Sequence, residues 1–222
     1  MKNYLLLFTG LLFSCIVNAQ FVTGQKLIGG QLSFHLSNSD LSSTSGNAQR
    51  TTSVGLSPSF SRFVSPNVFN TIGFSYLYQH TRYNINSANE QNSNAHVFGI
   101  FVQRTKLESL AKKFYFTYAG TAGVNYQLIK TRYVIPGSNT DQNAYLGYVS
   151  GGIGLLYQVN KRFLLSCDLN NLFSVSFQHS DQKTFQGTSV YKSNGNNFGL
   201  TTGLSNMSLS SLSIGIKYML KK

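Results

Sequence analysis

The chain has 222 residues and a formal charge of +12, from 18 Lys+Arg against 6 Asp+Glu. Only 11% of residues are charged while 14% are aromatic, which excludes charge-driven disorder and leaves too little charge to solubilise a large water-facing surface. Past residue 20 no unbroken apolar run approaches the ~20 residues of a transmembrane helix, so any membrane-facing surface must be hidden in alternation.

The N-terminus has the grammar of a signal peptide. Lys2 supplies the positive region, Tyr4 to Val17 the apolar stretch, and Val17-Asn18-Ala19 the cleavage site. Residues 1–19 are therefore predicted to be removed and residues 20–222 to form one barrel domain. Cys15, in Leu12-Phe13-Ser14-Cys15, faintly resembles a lipoprotein box, but Phe13 fits that box badly and Val-Asn-Ala-Gln is the better exit. Cleavage leaves Cys167 as the one thiol, so neither an internal disulfide nor a CxxC metal motif is available. Cys167 is expected to act as a small apolar residue on a strand.

Beyond this segment the period is two. Ile28, Leu32, Phe34 and Leu36 alternate with Gln31, Ser33, His35 and Ser37, and Val54, Leu56, Pro58 and Phe60 alternate with serines and Gly55. The same pattern returns around Ile72–Tyr78, Phe114–Tyr126, Tyr145–Tyr157, Phe163–Phe177 and Leu212–Leu220, while Asn94 to Arg104 is apolar on both faces. Alternation of this kind specifies strands with one apolar and one polar face. The predicted spans are 26–37, 50–64, 68–83, 94–105, 113–129, 144–159, 161–178 and 206–220. Residues 198–204 either extend the last strand through a bulge or lie in the last loop. As a separate ninth strand they would send the C-terminus to the opposite side, and that reading is rejected.

The connections alternate in length. Short ones fall at Phe63–Asn67, Thr105–Lys112 and Val159–Arg162, and long polar ones at 38–49, 84–93, 130–143 and 179–205. This predicts an all-β, eight-stranded, antiparallel up-and-down transmembrane β-barrel of the outer membrane, with termini and tight turns in the periplasm and long loops outside. The polar face carries Ser, Thr, Gly, Asn and Gln with almost no charge, which suits a narrow lumen better than a soluble exterior. Phe114, Phe116, Tyr157, Phe163 and Tyr218 group toward the short turns, and Tyr76, Tyr78, Tyr126, Tyr145, Phe173 and Phe177 toward the long loops, like two aromatic girdles.

Leu27-Ile28-Gly29-Gly30-Gln31-Leu32-Ser33-Phe34, Ser57-Pro58-Ser59-Phe60 and Phe63-Val64-Ser65-Pro66-Asn67 resemble the first hairpins of the small outer-membrane β-barrel domain proteins common in Bacteroidetes. Gly151-Gly152-Ile153-Gly154, Val159-Asn160-Lys161-Arg162-Phe163 and Leu209 to Tyr218 extend the resemblance along the chain. It implies an eight-stranded barrel, generally without an assigned activity. Such barrels usually end on an aromatic; here Tyr218 and Leu220 would serve the barrel-insertion machinery instead, ahead of Lys221-Lys222.

Few residues suggest chemistry. Asp168 and Lys217 both have lumen-facing parity and are predicted to pair there, because an isolated buried charge is expensive. Arg50, Arg82, Lys130 and Arg132 fall near the outer rim, where they either contact lipopolysaccharide phosphates or form a solvated rim. His35-Leu36-Ser37 has the His-x-Ser spacing of lipid A deacylases but faces the lumen, and Asp40 sits in a loop. His80 and His96 are two rim histidines, too few for a metal site. No cofactor, metal or catalytic set is expected. Partners are outer-membrane lipid, lipopolysaccharide and the insertion machinery, without nucleic acid, since no basic helix or basic-aromatic patch appears.

The expected function is a non-enzymatic outer-membrane barrel with a structural or loop-binding role. The alternatives are an accessory of a larger export, motility or uptake machine, a narrow channel, or a lipid A-modifying enzyme. Eight strands leave an interior just filled by side chains, which weighs against the channel.

Overall fold

A computed structural model describes residues 21–39, 48–85, 90–133, 138–202 and 212–221. The signal segment with Cys15, and Asp40, lie outside the described residues. Nine strands follow in chain order. They are β1 (Lys26–Ser39), β2 (Gln49–Ser65), β3 (Val68–Tyr83), β4 (Gln91–Ala111), β5 (Phe114–Tyr133), β6 (Ser138–Gln158), β7 (Phe163–Gln186), β8 (Ser189–Thr202) and β9 (Leu212–Met219).

Each of the strands β1 to β7 pairs antiparallel with the next, and β9 closes the barrel by pairing with both β7 and β1. The eighth wall is shared. β7 pairs with β9 from Phe163 to Leu169 and with β8 from Phe173 to Gln186. Both partners run opposite to β7, so β8 and β9 descend together as one interrupted strand. Residues 198–202 thus belong to β8, a strand separate from the C-terminal β9 and not the bulged extension or loop expected, yet β9 still ends beside the N-terminal strand, with Leu27 opposite Met219. The partner change coincides with a bulge: Gly151 faces Phe173 and Ile153 faces Leu169, leaving Asn170 to Leu172 against Gly152 alone, with Asn171 at φ 60°. Asn tolerates the left-handed region better than other non-glycine residues.

Several predicted connections are strand over much of their described length. β4 runs on to Ala111, leaving Lys112-Lys113 as its turn, and β5 and β6 pair as far as Thr131 and Thr140. Most of 179–205 is a β7–β8 hairpin turning at Gly187-Thr188, with Gly187 at φ 58°. A glycine at the first central position is what a type II′ hairpin turn requires.

Alternation places the apolar residues outside. Phe34, Leu36, Ile72, Phe74, Ile100, Val124 and Ile214 are more than half exposed. Inward positions through the middle and long-loop end are mostly Ser, Thr, Gly, Asn and Gln, with Leu77, Phe101, Leu146 and Tyr148 among them. Hydroxyl contacts link neighbouring strands, Ser61–Thr71 at 2.8 Å just above the short-turn end and Thr51–Thr81 at 3.2 Å toward the long loops. Inward glycines make room: a Cβ on Gly99 would collide with Asn125 Oδ1 and Ser75 Oγ, whereas the outward Gly120 and Gly147 have open space.

Toward the short turns the inward face changes character. Leu27, Phe63, Phe69, Leu107, Tyr115, Leu156, Leu164 and Met219 fill the lumen there, each almost wholly buried. Phe21, from the segment ahead of β1, tucks beneath them. Its ring stacks on Phe63 at 4.7 Å and lies 5.2 Å from Tyr115. Gly24 N–H to Phe63 C=O (2.8 Å) and Phe63 N–H to Gln25 C=O (2.9 Å) fasten this segment to β2. The barrel thus has a base packed like a soluble core and a polar lumen above it.

Candidate functional site

The polar lumen contains a chamber of about 340 Å³ above the apolar base. Gln31, Gln103, Asn125, Tyr148, Asn170 and Asn171 supply its main hydrogen-bonding groups, with serines from β2, β3, β6 and β7. The two asparagines come from the β7 bulge, which turns consecutive side chains toward the chamber. Gln103 Nε2 donates to Thr121 Oγ1 at 3.1 Å, while the buried Asn125 Oδ1 has no protein partner. Amides and hydroxyls without ionised groups can hold water or a small neutral polar molecule. They supply no nucleophile–base pair.

Asp168 and Lys217 sit between chamber and base. Both face the lumen, as their parity predicted, and each acts on the other electrostatically, but no ion-pair contact within 4 Å joins them. β9 places Ser213 opposite Asp168 and Leu164 opposite Lys217, four residues apart along the strand. Asp168 Oδ2 instead accepts from Gln31 Nε2 at 2.8 Å. The Lys217 ammonium lies 5.5 Å from the centre of the Phe69 ring, on the roof of the apolar base. A cation over an aromatic face is attracted by the ring quadrupole, and the carboxylate adds a longer-range attraction. The parity was legible in sequence; the register that separates the charges was not.

The cations at the long-loop end divide. Arg82 is ion-paired with Glu90 at 2.6 Å and Arg132 with Asp141 at 2.6 Å. Arg50 and Lys130 have no ion pair among the described residues. His80 and His96 face outward at the same rim and join a hydrogen-bonded girdle. His96 Nδ1 contacts Tyr76 OH at 2.9 Å, and Asn94 Oδ1 accepts from Tyr78 OH at 2.9 Å and contacts His80 Nδ1 at 2.8 Å. The opposite girdle pairs Phe114 with Tyr157 at 4.5 Å and Phe163 with Tyr218 at 5.0 Å.

His35 faces the lumen opposite Ser53, and its buried Nδ1 has no hydrogen-bond partner. No group of three or more His, Cys, Asp or Glu suited to a metal occurs among the described residues. Cys167 is on the outward, exposed face of β7 among apolar neighbours. What the sequence reading missed is the apolar base. Its signal was present, since Phe63, Phe69, Leu107, Tyr115, Leu156 and Leu164 occupy polar-face parity beside the short turns.

No protein-family profile matches the chain, and no curated protein does. Among solved structures it is similar to the outer membrane protein OprG from Pseudomonas aeruginosa. The identity is 12%, over 91% of this chain and 98% of that one, with a TM-score of 0.53. It is also similar to a major outer membrane protein from Thermus thermophilus, at 10% identity over 89% and 99% of the two chains and a TM-score of 0.48. It spans only 27% of the ferric yersiniabactin uptake receptor FyuA from Yersinia pestis, with 79% of its own length, 10% identity and a TM-score of 0.38. The fold is an antiparallel up-and-down β-barrel of the outer-membrane type. Its apolar exterior and polar interior are the inverse of a soluble barrel.

Proposed function

We propose that this chain is an integral outer-membrane barrel of the small Bacteroidetes-type family that works without catalysing a reaction, as a closed scaffold presenting its β7–β8 hairpin for binding. The observation that carries this reading is the apolar base. Nine buried side chains, from Phe21 to Met219, fill the lumen at the short-turn end below the chamber. Such a plug disfavours a channel. The isolated His35 and the neutral chamber disfavour lipid A deacylation. Both ends of the chain then lie in the periplasm, and the hairpin from Asp181 to Asn194 stands outside, carrying Phe185, Val190 and Tyr191 on an otherwise polar surface. Arg50 and Lys130, the rim cations without an ion-pair contact among the described residues, are positioned for lipopolysaccharide phosphates, although Asp141, taken by Arg132, lies opposite Lys130.

Heat-modifiable gel mobility in outer-membrane fractions tests location, and a soluble periplasmic protein would overturn the reading. In planar bilayers the purified protein is expected to give no stable conductance steps. Affinity purification in mild detergent tests the hairpin: a stoichiometric partner retained by the full chain should be lost when 181–194 is replaced by a two-residue turn. Lipid A mass spectra should be the same with and without the protein.

A further inference from the structure

On the outward face near the short turns, one row of the ladder carries Lys26, Arg62, Asn70 and Arg104 side by side, followed by Gly120. None of the three cations is ion-paired among the described residues; the acid on this part of the outer face, Glu108, is taken by Lys106 at 2.6 Å. The next outward row is wholly apolar, with Phe60, Ile72, Val102, Ala122 and Val149 in register. Gly120 and Ala122 are too small to fill their places in these rows. They leave a surface furrow of about 630 Å³ with Arg62, Asn70 and Arg104 on its edge.

This juxtaposition matches a molecule with an anionic head and an apolar tail. Arg62 and Arg104 are two strands apart, roughly 10 Å at the backbone, a span that two arginine arms can close on one phosphate. The Asn70 amide lies between them. Guanidinium groups bind phosphate through paired, charge-assisted hydrogen bonds. A free anion would have no use for the furrow, and a bare acyl chain none for the cations. We propose that the furrow holds one phospholipid of the leaflet nearest the short turns, its phosphate between Arg62 and Arg104 and an acyl chain over Gly120 and Ala122. The proposal rests on the membrane-barrel reading and adds a site at the rim opposite Arg50 and Lys130.

Native mass spectrometry of the full chain in mild detergent, titrated with dioleoyl phosphatidylglycerol, tests it. The wild type should retain one lipid, and Arg62→Gln/Arg104→Gln should weaken retention about tenfold or more. Gly120→Leu is the more discriminating variant, because a Cβ there meets no protein atom within 4 Å and the added side chain would occupy the furrow with every charge kept. It should reduce retention several-fold, while Arg62→Lys/Arg104→Lys, which keeps the charges but loses the paired hydrogen bonds, should fall between wild type and the Gln pair. Unchanged retention in both the Gln pair and Gly120→Leu would overturn the proposal. So would equal binding of glycerol phosphate, which indicates a headgroup site alone, or a dimer that Gly120→Leu dissociates, which assigns the furrow to a second copy. Heat-modifiable mobility, read on each sample, reports separately whether the barrel itself formed.

Discussion

The two ends of the lumen use the same inward positions for opposite purposes. At the short-turn end these positions are Leu, Phe, Tyr and Met, packed around Phe21. At the long-loop end they are Thr, Ser, Gln and Asn, bonded hydroxyl to hydroxyl around a chamber. Both arrangements satisfy a narrow interior, but with different energetics. The base removes apolar surface from water and gains dispersion contacts, at roughly 25 cal/mol per Å² buried. The upper layer exchanges water hydrogen bonds for protein ones, a net gain of only about 1 kcal/mol each. Stability should therefore concentrate in the base and adaptability in the chamber.

The sharpest test is Phe63→Ala. Phe63 is fully buried, stacked on Phe21 and 5.3 Å from Phe69. Truncation removes the hub of the base and leaves a cavity, at a cost of about 3–5 kcal/mol. Urea unfolding in lipid vesicles should show this as a lowered midpoint, and a loss under about 1 kcal/mol, the size of a single hydrogen bond, would refute the idea that the base dominates. Next in size is Asp168→Asn. The amide keeps the shape and can still contact Gln31, but it leaves Lys217, 5% exposed, without its counter-charge above the Phe69 ring. A loss of about 1–3 kcal/mol is expected. Adding Lys217→Met should recover most of it, since an apolar residue of similar volume removes the uncompensated charge. If the double variant is no better than Asp168→Asn, the two charges act independently.

Legibility followed the contrast between faces. Outward residues announced themselves because lipid permits only apolar side chains there: Ile28, Leu32 and Phe34, or Phe173, Val175 and Phe177, alternate cleanly with polar ones. The β7–β8 hairpin was hidden for the converse reason. Beyond the apolar belt both faces of 179–197 meet water, so Asp181, Lys183 and Ser193 show no period although they are strand. The apolar base was obscured differently. Phe63 beside Val64, Leu156 beside Leu155, and Leu164 beside both Phe163 and Leu165 read as continuous apolar runs, in which inward and outward positions are not distinguished by residue type. The missed ion-pair register depends on where β9 docks on β7, a non-local choice that parity alone does not set.

The upper layer supplies the smallest expected effect and the cleanest measure of the difference between the ends. Thr51 and Thr81 are both buried and share a hydroxyl contact of 3.2 Å between β2 and β3; Thr51 Oγ1 also accepts from Gln49 Nε2 at 3.4 Å and Thr81 Oγ1 from Gln79 Nε2 at 3.2 Å. Thr51→Val keeps the volume and removes one hydroxyl, leaving the other without that partner. The loss should be about 0.5–1.5 kcal/mol by the same urea measurement. Thr51→Val/Thr81→Val removes both hydroxyls and should lose less than twice that amount, because neither hydroxyl is left facing a missing partner and the half-exposed Gln49 and Gln79 amides can turn to water. Additive losses would mean that the hydroxyl–hydroxyl contact contributes nothing of its own and that the glutamine bonds hold the upper lumen as a connected network. In that case the chamber would be as rigid as the base, and the proposed division between a stable floor and an adaptable upper lumen would fail.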